Sequence, residues 1–231
     1  MNAGGMFVYL PLVLRIYPPP SNWVTIISED FEGSFPGSWS VSDSNGASYG
    51  EYYWGKRNCR PYAGSYSGWG VGGGANGASL SCGSNYPNNA RSWMVYGPFS
   101  LADATDGDLS FKLWLNTELG YDSVCRWASI NGSDFYGTCT SGDSSGWIDR
   151  VLDLKDVYIL GNLMGQPNVW VALYSYSDSS VTRSEGGYVD NVVLRKYASA
   201  AGMKPPAMSG VAPDPGNAQI VDIPTMMILT K

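Results

Sequence analysis

The sequence predicts an all-β protein, an antiparallel sandwich flanked by extended, strand-like tails. The 231 residues include 29 Gly, 16 Tyr and 9 Trp, and 15% are charged. This composition is typical of short strands joined by many turns. Runs of β-forming residues alternate with turn clusters at the spacing expected of a sandwich. The sequence shows neither an internal repeat nor a coiled-coil heptad.

Individual strands follow from period-two alternation. The clearest is 109–116, where Leu109, Phe111 and Leu113 share one face and Ser110 and Lys112 the other. Further strands are predicted at 23–27, 122–130, 147–154, 169–176, 187–195 and 220–230. The segment 157–164 hints at a helical turn, and the Gly- and Ser-rich segment 63–89 predicts a long irregular excursion.

The chain divides into a body at 23–197 between two apolar tails. The first, 1–22, ends in a Pro-rich linker, and the second, 198–231, begins with a linker rich in Pro, Gly and Ala. The N-terminal apolar run spans 11 residues, short of the roughly 20 that cross a bilayer, and lacks the features of a signal peptide.

The apolar ends must be buried against the body, another copy of the chain or a membrane. The apolar residues expected to make assembly contacts are Phe7, Tyr9, Leu10, Leu12, Leu14, Ile220, Ile223, Met227 and Ile228.

Four cysteines, Cys59, Cys82, Cys125 and Cys139, predict two disulfides and an oxidising, extracellular setting. The absence of a Cys-x-x-Cys pair and of histidine argues against a zinc site. Three pairings are possible, and we favour the sequential one, which closes two short loops. The turn signal Asn131-Gly132 supports it, since a hairpin there brings Cys125 beside Cys139. The alternative is four buried thiols.

The composition also limits the function. Without histidine the chain lacks the commonest general base and the usual partner of catalytic Ser or Cys. Catalysis by paired carboxylates is a weak alternative, because most Asp and Glu stand beside Gly or Ser in turn-like contexts. A net charge of −6 argues against nucleic acid as a partner. We therefore expect a non-enzymatic protein.

Several segments carry a family likeness in their order along the chain: Glu29-Asp30-Phe31-Glu32-Gly33, Asp108-Leu109-Ser110-Phe111, Ser129-Ile130-Asn131-Gly132 and Gly187-Tyr188-Val189-Asp190-Asn191. Together they resemble the MAM-like, choice-of-anchor J-type jelly-roll domains of bacterial secreted proteins, which occur beside immune-inhibitor-A-type metallopeptidases. The resemblance covers 29–196 and implies a two-sheet antiparallel jelly roll at the bacterial cell surface. Metallopeptidase activity does not transfer, since its zinc motif needs two histidines.

A structural Ca²⁺ between the first and last strands is also implied by the resemblance. The matching positions are Asp30, Glu32 and Asp190, and their hard oxygen ligands suit calcium. The family often has Asp where Asn191 stands. The alternative is that water or backbone amides cap Asp190.

Two further residue sets leave alternatives open. Trp54, Tyr62, Trp69 and Trp93 would stack on sugar rings if exposed, whereas we favour their packing in the core. The acidic stretch that contains Asp103, Asp106 and Asp108 would form either a calcium loop or, as we favour, a solvated turn.

These features support two functions. The first is a non-catalytic secreted or cell-surface structural protein, such as a filament or sheath subunit, that self-assembles by strand exchange through its tails. The alternative is an extracellular carbohydrate- or ligand-binding accessory module of a larger secreted protein. The expected partner is another copy of the chain or a glycan.

Overall fold

The computed structural model describes residues 23–198 and 219–228. The strands are β1 (Trp23–Glu29), β2 (Ser40–Asp43), β3 (Tyr53–Arg57), β4 (Ser67–Gly73), β5 (Arg91–Phe99), β6 (Ala104–Asn116), β7 (Ser123–Ser129), β8 (Asp134–Asp143), β9 (Ile148–Asp153), β10 (Val169–Tyr176), β11 (Gly186–Ala198) and β12 (Gln219–Ile228). A 3₁₀ turn (Ala47–Tyr49) and a one-turn helix α1 (Gly74–Gly77) complete these elements.

Two antiparallel layers form a sandwich. One layer has the order β2-β5-β10-β7-β8-β12. In the other, β6 lies between β9 and β11, β11 also pairs with β1 and β4, and β4 pairs with β3. The layers meet at one edge, where Asn116 of β6 pairs with Asp143 of β8. The predicted all-β jelly-roll sandwich is confirmed.

The main core fills the space between the layers. From β6 it takes the alternating residues Leu109, Phe111 and Leu113, and from β10 it takes Val171 and Leu173. Each is at most 4% exposed, and burying such a side chain stabilises the fold by about 1.5–3 kcal/mol. The alternation that predicted β6 therefore also identified its core face.

A second apolar cluster lies on the outer face of the first layer. Since side chains alternate across a strand, the residues of β10 next to Val171 and Leu173 point away from the core. Tyr174 of β10 stacks on Trp127 of β7 with ring centroids 4.9 Å apart, and Trp93 lies 4.4 Å from Tyr174. We call this the outer aromatic cluster; its buried members are Trp93, Cys125, Trp127, Phe135, Cys139, Ala172 and Tyr174.

Both predicted disulfides are confirmed. Cys59 bonds to Cys82, and Cys125 of β7 bonds to its register partner Cys139 of β8. The hairpin expected at Asn131-Gly132 joins these two strands. Loops of 23 and 14 residues each contribute about 3 kcal/mol through the unfolded state.

Two local predictions are wrong. The segment 63–89 contains strand β4 and helix α1 rather than an irregular excursion. Its glycines allow close packing: a Cβ on Gly68 would lie 2.5 Å from Phe31 Cζ. The segment 157–164 forms an antiparallel bridge between Val157 and Gly161 instead of a helical turn.

The C-terminal strand pairs with the chain's own body. Strand β12 runs along β8 from Gln219 opposite Asp143 to Ile228 opposite Asp134. This placement was one of the alternatives that the sequence left open. The assembly candidates Ile220, Ile223, Met227 and Ile228 thus lie on a strand paired within the chain, while Phe7, Tyr9, Leu10, Leu12 and Leu14 lie outside the described residues.

Candidate functional site

The three predicted ligand-stacking tryptophans are buried. Trp54, Trp69 and Trp93 are each 0% exposed, which corrects their assignment as ligand contacts and agrees with the core-packing alternative. Trp69 stacks on Tyr188 and donates its indole N–H to the carbonyl of Glu185. The indole N–H of Trp93 donates to Ser44 Oγ at 2.9 Å.

Tyr62, the fourth candidate, is 44% exposed. Its ring lies edge-on to Trp147 at 5.7 Å and 4.7 Å below the ammonium of Lys112. Tyr62 does not belong to the outer aromatic cluster.

The expected calcium ligand Asp190 is fully buried in β11. Its Oδ2 accepts hydrogen bonds from the backbone N–H groups of Tyr62 (2.8 Å) and Ala63 (3.2 Å), and Oδ1 accepts one from Asn191 (2.7 Å). Burial raises the pKa of Asp190 above its ordinary value, although these N–H donors act in the opposite direction. The amide-capped alternative therefore describes its contacts in this structure.

Glu32 and Asp190 both accept hydrogen bonds from the loop at 62–66. Glu32 Oε1 accepts from the backbone N–H groups of Ser65 (2.8 Å) and Tyr66 (2.9 Å), and its negative charge contributes to the raised pKa of Asp190. Asp30 Oδ1 accepts from the backbone N–H of Glu32 at 3.0 Å. Calcium binding by these three residues stays a prediction.

The acidic stretch around Asp106 is neither a calcium loop nor a solvated turn. Asp106 and Asp108 are buried in β6 and pair with Lys155 (2.7 Å) and Arg195 (3.0 Å). Asp103, at the exposed end of the acidic stretch, pairs with Lys196. Each carboxylate thus has a cationic partner within the fold.

Within the described residues, the structure contains a pocket of about 260 Å³ beside the outer aromatic cluster. Strands β10, β7 and β8 supply its floor, β12 supplies one wall, and Tyr121 stands in the turn before β7. We call it the outer-face pocket; it is lined by Tyr121, Ser123, Cys125, Trp127, Cys139, Tyr174, Tyr176, Ile223 and Thr225.

The strand register places the floor residues and the wall residues of β12 in common rows. Tyr174, Cys125, Cys139 and Ile223 are successive partners across four strands. A second row follows Trp127, Gly137 and Thr225. A Cβ on Gly137 would lie 2.9 Å from Trp127 Cδ1, so glycine there makes room for the indole.

The chemistry of the outer-face pocket is aromatic and uncharged. None of its nine lining residues carries a charge at neutral pH. Among the described residues, the buried hydroxyl of Tyr174 and indole N–H of Trp127 have no hydrogen-bond partner. Burial raises the pKa of Tyr174, so its hydroxyl is neutral and can donate. Both of these atoms have almost no accessible surface, so the hydroxyl groups open to the pocket are those of lining residues such as Tyr121, Ser123 and Thr225.

The rim of this pocket is partly exposed. Tyr121 is 62% exposed, and the ring of Tyr176 lies 4.1 Å below the guanidinium of Arg91. Nearby, Asp122 accepts hydrogen bonds from the Tyr86 hydroxyl and from the backbone N–H of Asp178, which fixes the turns on either side of the pocket.

One group of three carboxylates in the described part of the chain lies within reach of a single ion. It comprises Glu118, Asp122 and Asp178, whose oxygens lie within 4.8 Å of one another. Oxygens of this group already accept from Tyr86, Asp178 and Ser180, so they act as structural acceptors.

Sequence reasoning missed every residue of the outer-face pocket as a ligand contact. The signal available was that β10 is apolar on both faces, with Trp170, Tyr174 and Tyr176 opposite Val171 and Leu173. A strand with one face in the core and an aromatic second face indicates either a second core or a binding surface.

Within the described residues no helix has the length and apolar character needed to cross a bilayer.

No family model and no curated protein matches the chain, so the resemblance to MAM-like domains stays a prediction. Among solved structures, the K1 cleaved adhesin domain of Lys-gingipain from Porphyromonas gingivalis is similar with 17% identity, covering 73% of this chain and 96% of that one, at a TM-score of 0.47. The CBM22-1 xylan-binding domain from Paenibacillus barcinonensis Xyn10C is similar with 11% identity. The match covers 77% of this chain and 97% of that domain, at a TM-score of 0.45. The family 11 carbohydrate-binding module of a Clostridium thermocellum cellulosomal cellulase is similar with 14% identity. The match covers 78% of this chain and 97% of that module, at a TM-score of 0.43. At such values the recognition residues of those proteins do not transfer to this chain.

Proposed function

We propose that this chain is a non-catalytic, extracellular module that binds a neutral carbohydrate in the outer-face pocket. The observation that carries the proposal is the lining itself: aromatic rings and hydroxyl groups without a charge. The two disulfides fit the extracellular setting.

A sugar ring matches this lining chemically. Its C–H face is apolar and packs against aromatic side chains such as Tyr176, while its edge carries hydroxyl groups. Those hydroxyls can exchange hydrogen bonds with the hydroxyl groups of the lining, such as those of Ser123 and Thr225. A charged ligand would lose its hydration without gaining an ion pair from the lining.

The volume of the pocket limits what enters it. About 260 Å³ is slightly below the roughly 300–1,000 Å³ of sites for drug-sized ligands. We therefore infer that one or two sugar units enter and that the rest of an oligosaccharide would extend past Tyr121. A glycan array with neutral and acidic members tests the proposal. Selective binding of neutral glycans is expected, and binding of no glycan, or of acidic glycans alone, would contradict it.

Self-assembly through the tails is a second candidate, favoured by the position of β12. This strand pairs along the whole of β8 and is separated from β11 by 20 residues, 199–218, which are rich in Pro, Gly and Ala. For a Gly-rich linker of 20 residues the expected end-to-end distance is about 25 Å. A neighbouring copy would thus be within reach. We expect light scattering after size exclusion to show oligomers of the full chain at high concentration and monomers after deletion of 198–231. A monomeric full chain at every concentration would exclude this candidate.

Calcium binding at Asp30, Glu32 and Asp190 also stays a proposal. Its physical support is a fully buried carboxylate whose pKa is raised by burial and by the charge of Glu32, because a cation would offset both effects. At a free calcium concentration about a hundred times the Kd, the melting temperature is expected to rise by about 5–10 °C over that in chelator. The Asp190→Asn variant should lose this difference. Equal melting temperatures of the wild type in calcium and chelator would refute the site.

A further inference from the structure

Two arginines, one from each layer, meet at the core-side face of β8, which is turned away from the outer-face pocket. Arg126 of β7 and Arg150 of β9 are 9% and 4% exposed. Both donate to Thr140 Oγ1 of β8, from Arg126 Nη1 at 2.9 Å and from Arg150 Nε at 3.2 Å. Arg126 Nε also donates to the carbonyl of Val151 at 3.1 Å. The edge of the sandwich at β8 therefore carries two buried positive charges.

Strand β12 brings a carboxylate to this cluster. Asp222 is the register partner of Thr140, and its Oδ1 accepts the Thr140 hydroxyl at 2.5 Å. Arg126 Nη2 lies 3.4 Å from Asp222 Oδ2, and Arg150 Nε lies 3.9 Å from Oδ1. The Thr140 hydroxyl thus accepts from both arginines and donates to the aspartate, which uses its full hydrogen-bonding capacity.

We propose that Arg126, Arg150 and Thr140 form a carboxylate-binding site that determines which strand completes β8. The proposed occupant is the chain's own C-terminal segment, and Asp222 is its positioning residue. Hydrogen bonds between guanidinium and carboxylate are stronger than neutral ones. A strand with a neutral side chain at this register would therefore lose the charge-assisted contacts that Asp222 makes with the two arginines.

The site also fixes the register of β12. A shift by one residue would exchange the two faces of the strand. Ile223 or Val221 would then face the arginines, and Asp222 would turn toward the aromatic floor of the pocket. Both placements are unfavourable, because one brings an alkyl group to buried cations and the other a carboxylate to an apolar surface.

Docking of β12 has a consequence for the outer-face pocket, and this step rests on the function proposed above. Ile223 and Thr225 lie on the strand face opposite Asp222 and line the pocket. The contacts of Asp222 on one face therefore hold the pocket wall in place on the other. Release of β12 would remove that wall and lower glycan affinity without any change in the floor.

The test uses the full chain with a specific protease site inserted in the 206–216 linker. The folded protein is cleaved there, and retention of the C-terminal fragment is followed by size exclusion and mass spectrometry. We expect the wild-type fragment to co-elute with the body and the Asp222→Asn fragment to be released at least about tenfold faster, a difference of about 1.4 kcal/mol. Val221→Thr, a β-branched replacement at an exposed neighbouring position, is the matched control and should be released at the wild-type rate.

The salt dependence provides a second measurement. Added NaCl should speed release of the wild-type fragment and leave that of Asp222→Asn unchanged, since ions screen charge pairs that are partly exposed. Equal release of wild type and Asp222→Asn, or equally fast release of Val221→Thr and Asp222→Asn, would overturn the carboxylate site. Tryptophan fluorescence before cleavage verifies that each variant is folded. Retention is measured without glycan, so a failure of the proposed glycan binding leaves this result unaffected.

Discussion

Replacing Tyr121 and Tyr176 together by alanine is expected to weaken glycan binding about a hundredfold while the fold is kept. Each ring offers an apolar face to a sugar, and losing one such contact costs about 1.4 kcal/mol, or tenfold in Kd. Tyr121 is largely exposed and Tyr176 stands at the pocket rim. Their removal therefore leaves the main core unchanged, and the melting temperature should stay within a few degrees of the wild type. Isothermal titration with the best glycan from the array measures the loss.

Tyr158→Ala is the matched control for this experiment. Tyr158 is 46% exposed and does not line the outer-face pocket, so its removal should leave glycan affinity unchanged. Full affinity in the double variant, or an equal loss in Tyr158→Ala, would show that the glycan binds elsewhere.

The second large effect is expected at Trp127, and it concerns stability. Its ring stacks on Tyr174 and lies 5.5 Å from Trp93 in the outer aromatic cluster. Truncating a buried tryptophan to alanine costs about 3–5 kcal/mol, because it removes apolar burial and leaves a cavity. The melting temperature should fall by about 10 °C or more.

Trp127→Phe separates the packing of this ring from its polar group. Phenylalanine keeps most of the apolar volume and removes the buried indole N–H, so we expect a smaller loss of stability. It also presents a smaller ring to the pocket, so we expect weaker glycan binding. Thermal unfolding and titration measure the two effects. A wild-type melting temperature for Trp127→Ala would show that the outer aromatic cluster contributes little to the fold.

The strands whose core face could also be predicted from the sequence are those whose periodicity has one interpretation. In β6 the alternation of Leu109, Phe111 and Leu113 with polar residues identified both the strand and its core face. The turn Asn131-Gly132 predicted the β7–β8 hairpin, and with it the bond from Cys125 to Cys139. Both signals are local, because they depend only on residues close together in the sequence.

Strand β4 could not be predicted in this way. Its sequence Ser-Gly-Trp-Gly-Val-Gly-Gly has the composition of a loop, because glycine has weak β-propensity. Only the tertiary structure shows that Phe31 and Ser175 fill the space where Cβ atoms of Gly68 and Gly70 would lie.

The outer-face pocket was missed for a related reason. Both faces of β7 and β10 are rich in apolar residues, so alternation cannot tell which face meets the second layer. The row from Tyr174 through Cys125 and Cys139 to Ile223 exists only because strands distant in sequence lie side by side. The same holds for the acidic stretch, where Asp108 pairs with Arg195, 87 positions away.

The most direct test of the account is an NMR titration that follows the indole N–H signals of the nine tryptophans as a neutral oligosaccharide is added. Trp127→Phe identifies the signal of Trp127 by its disappearance. The account predicts that this signal shifts with glycan concentration, since a bound sugar changes the surroundings of the Trp127 indole in the pocket lining, and that the signals of core tryptophans such as Trp54 stay in place. A glycan that binds without moving the Trp127 signal would contradict the assignment of the outer-face pocket as the carbohydrate site.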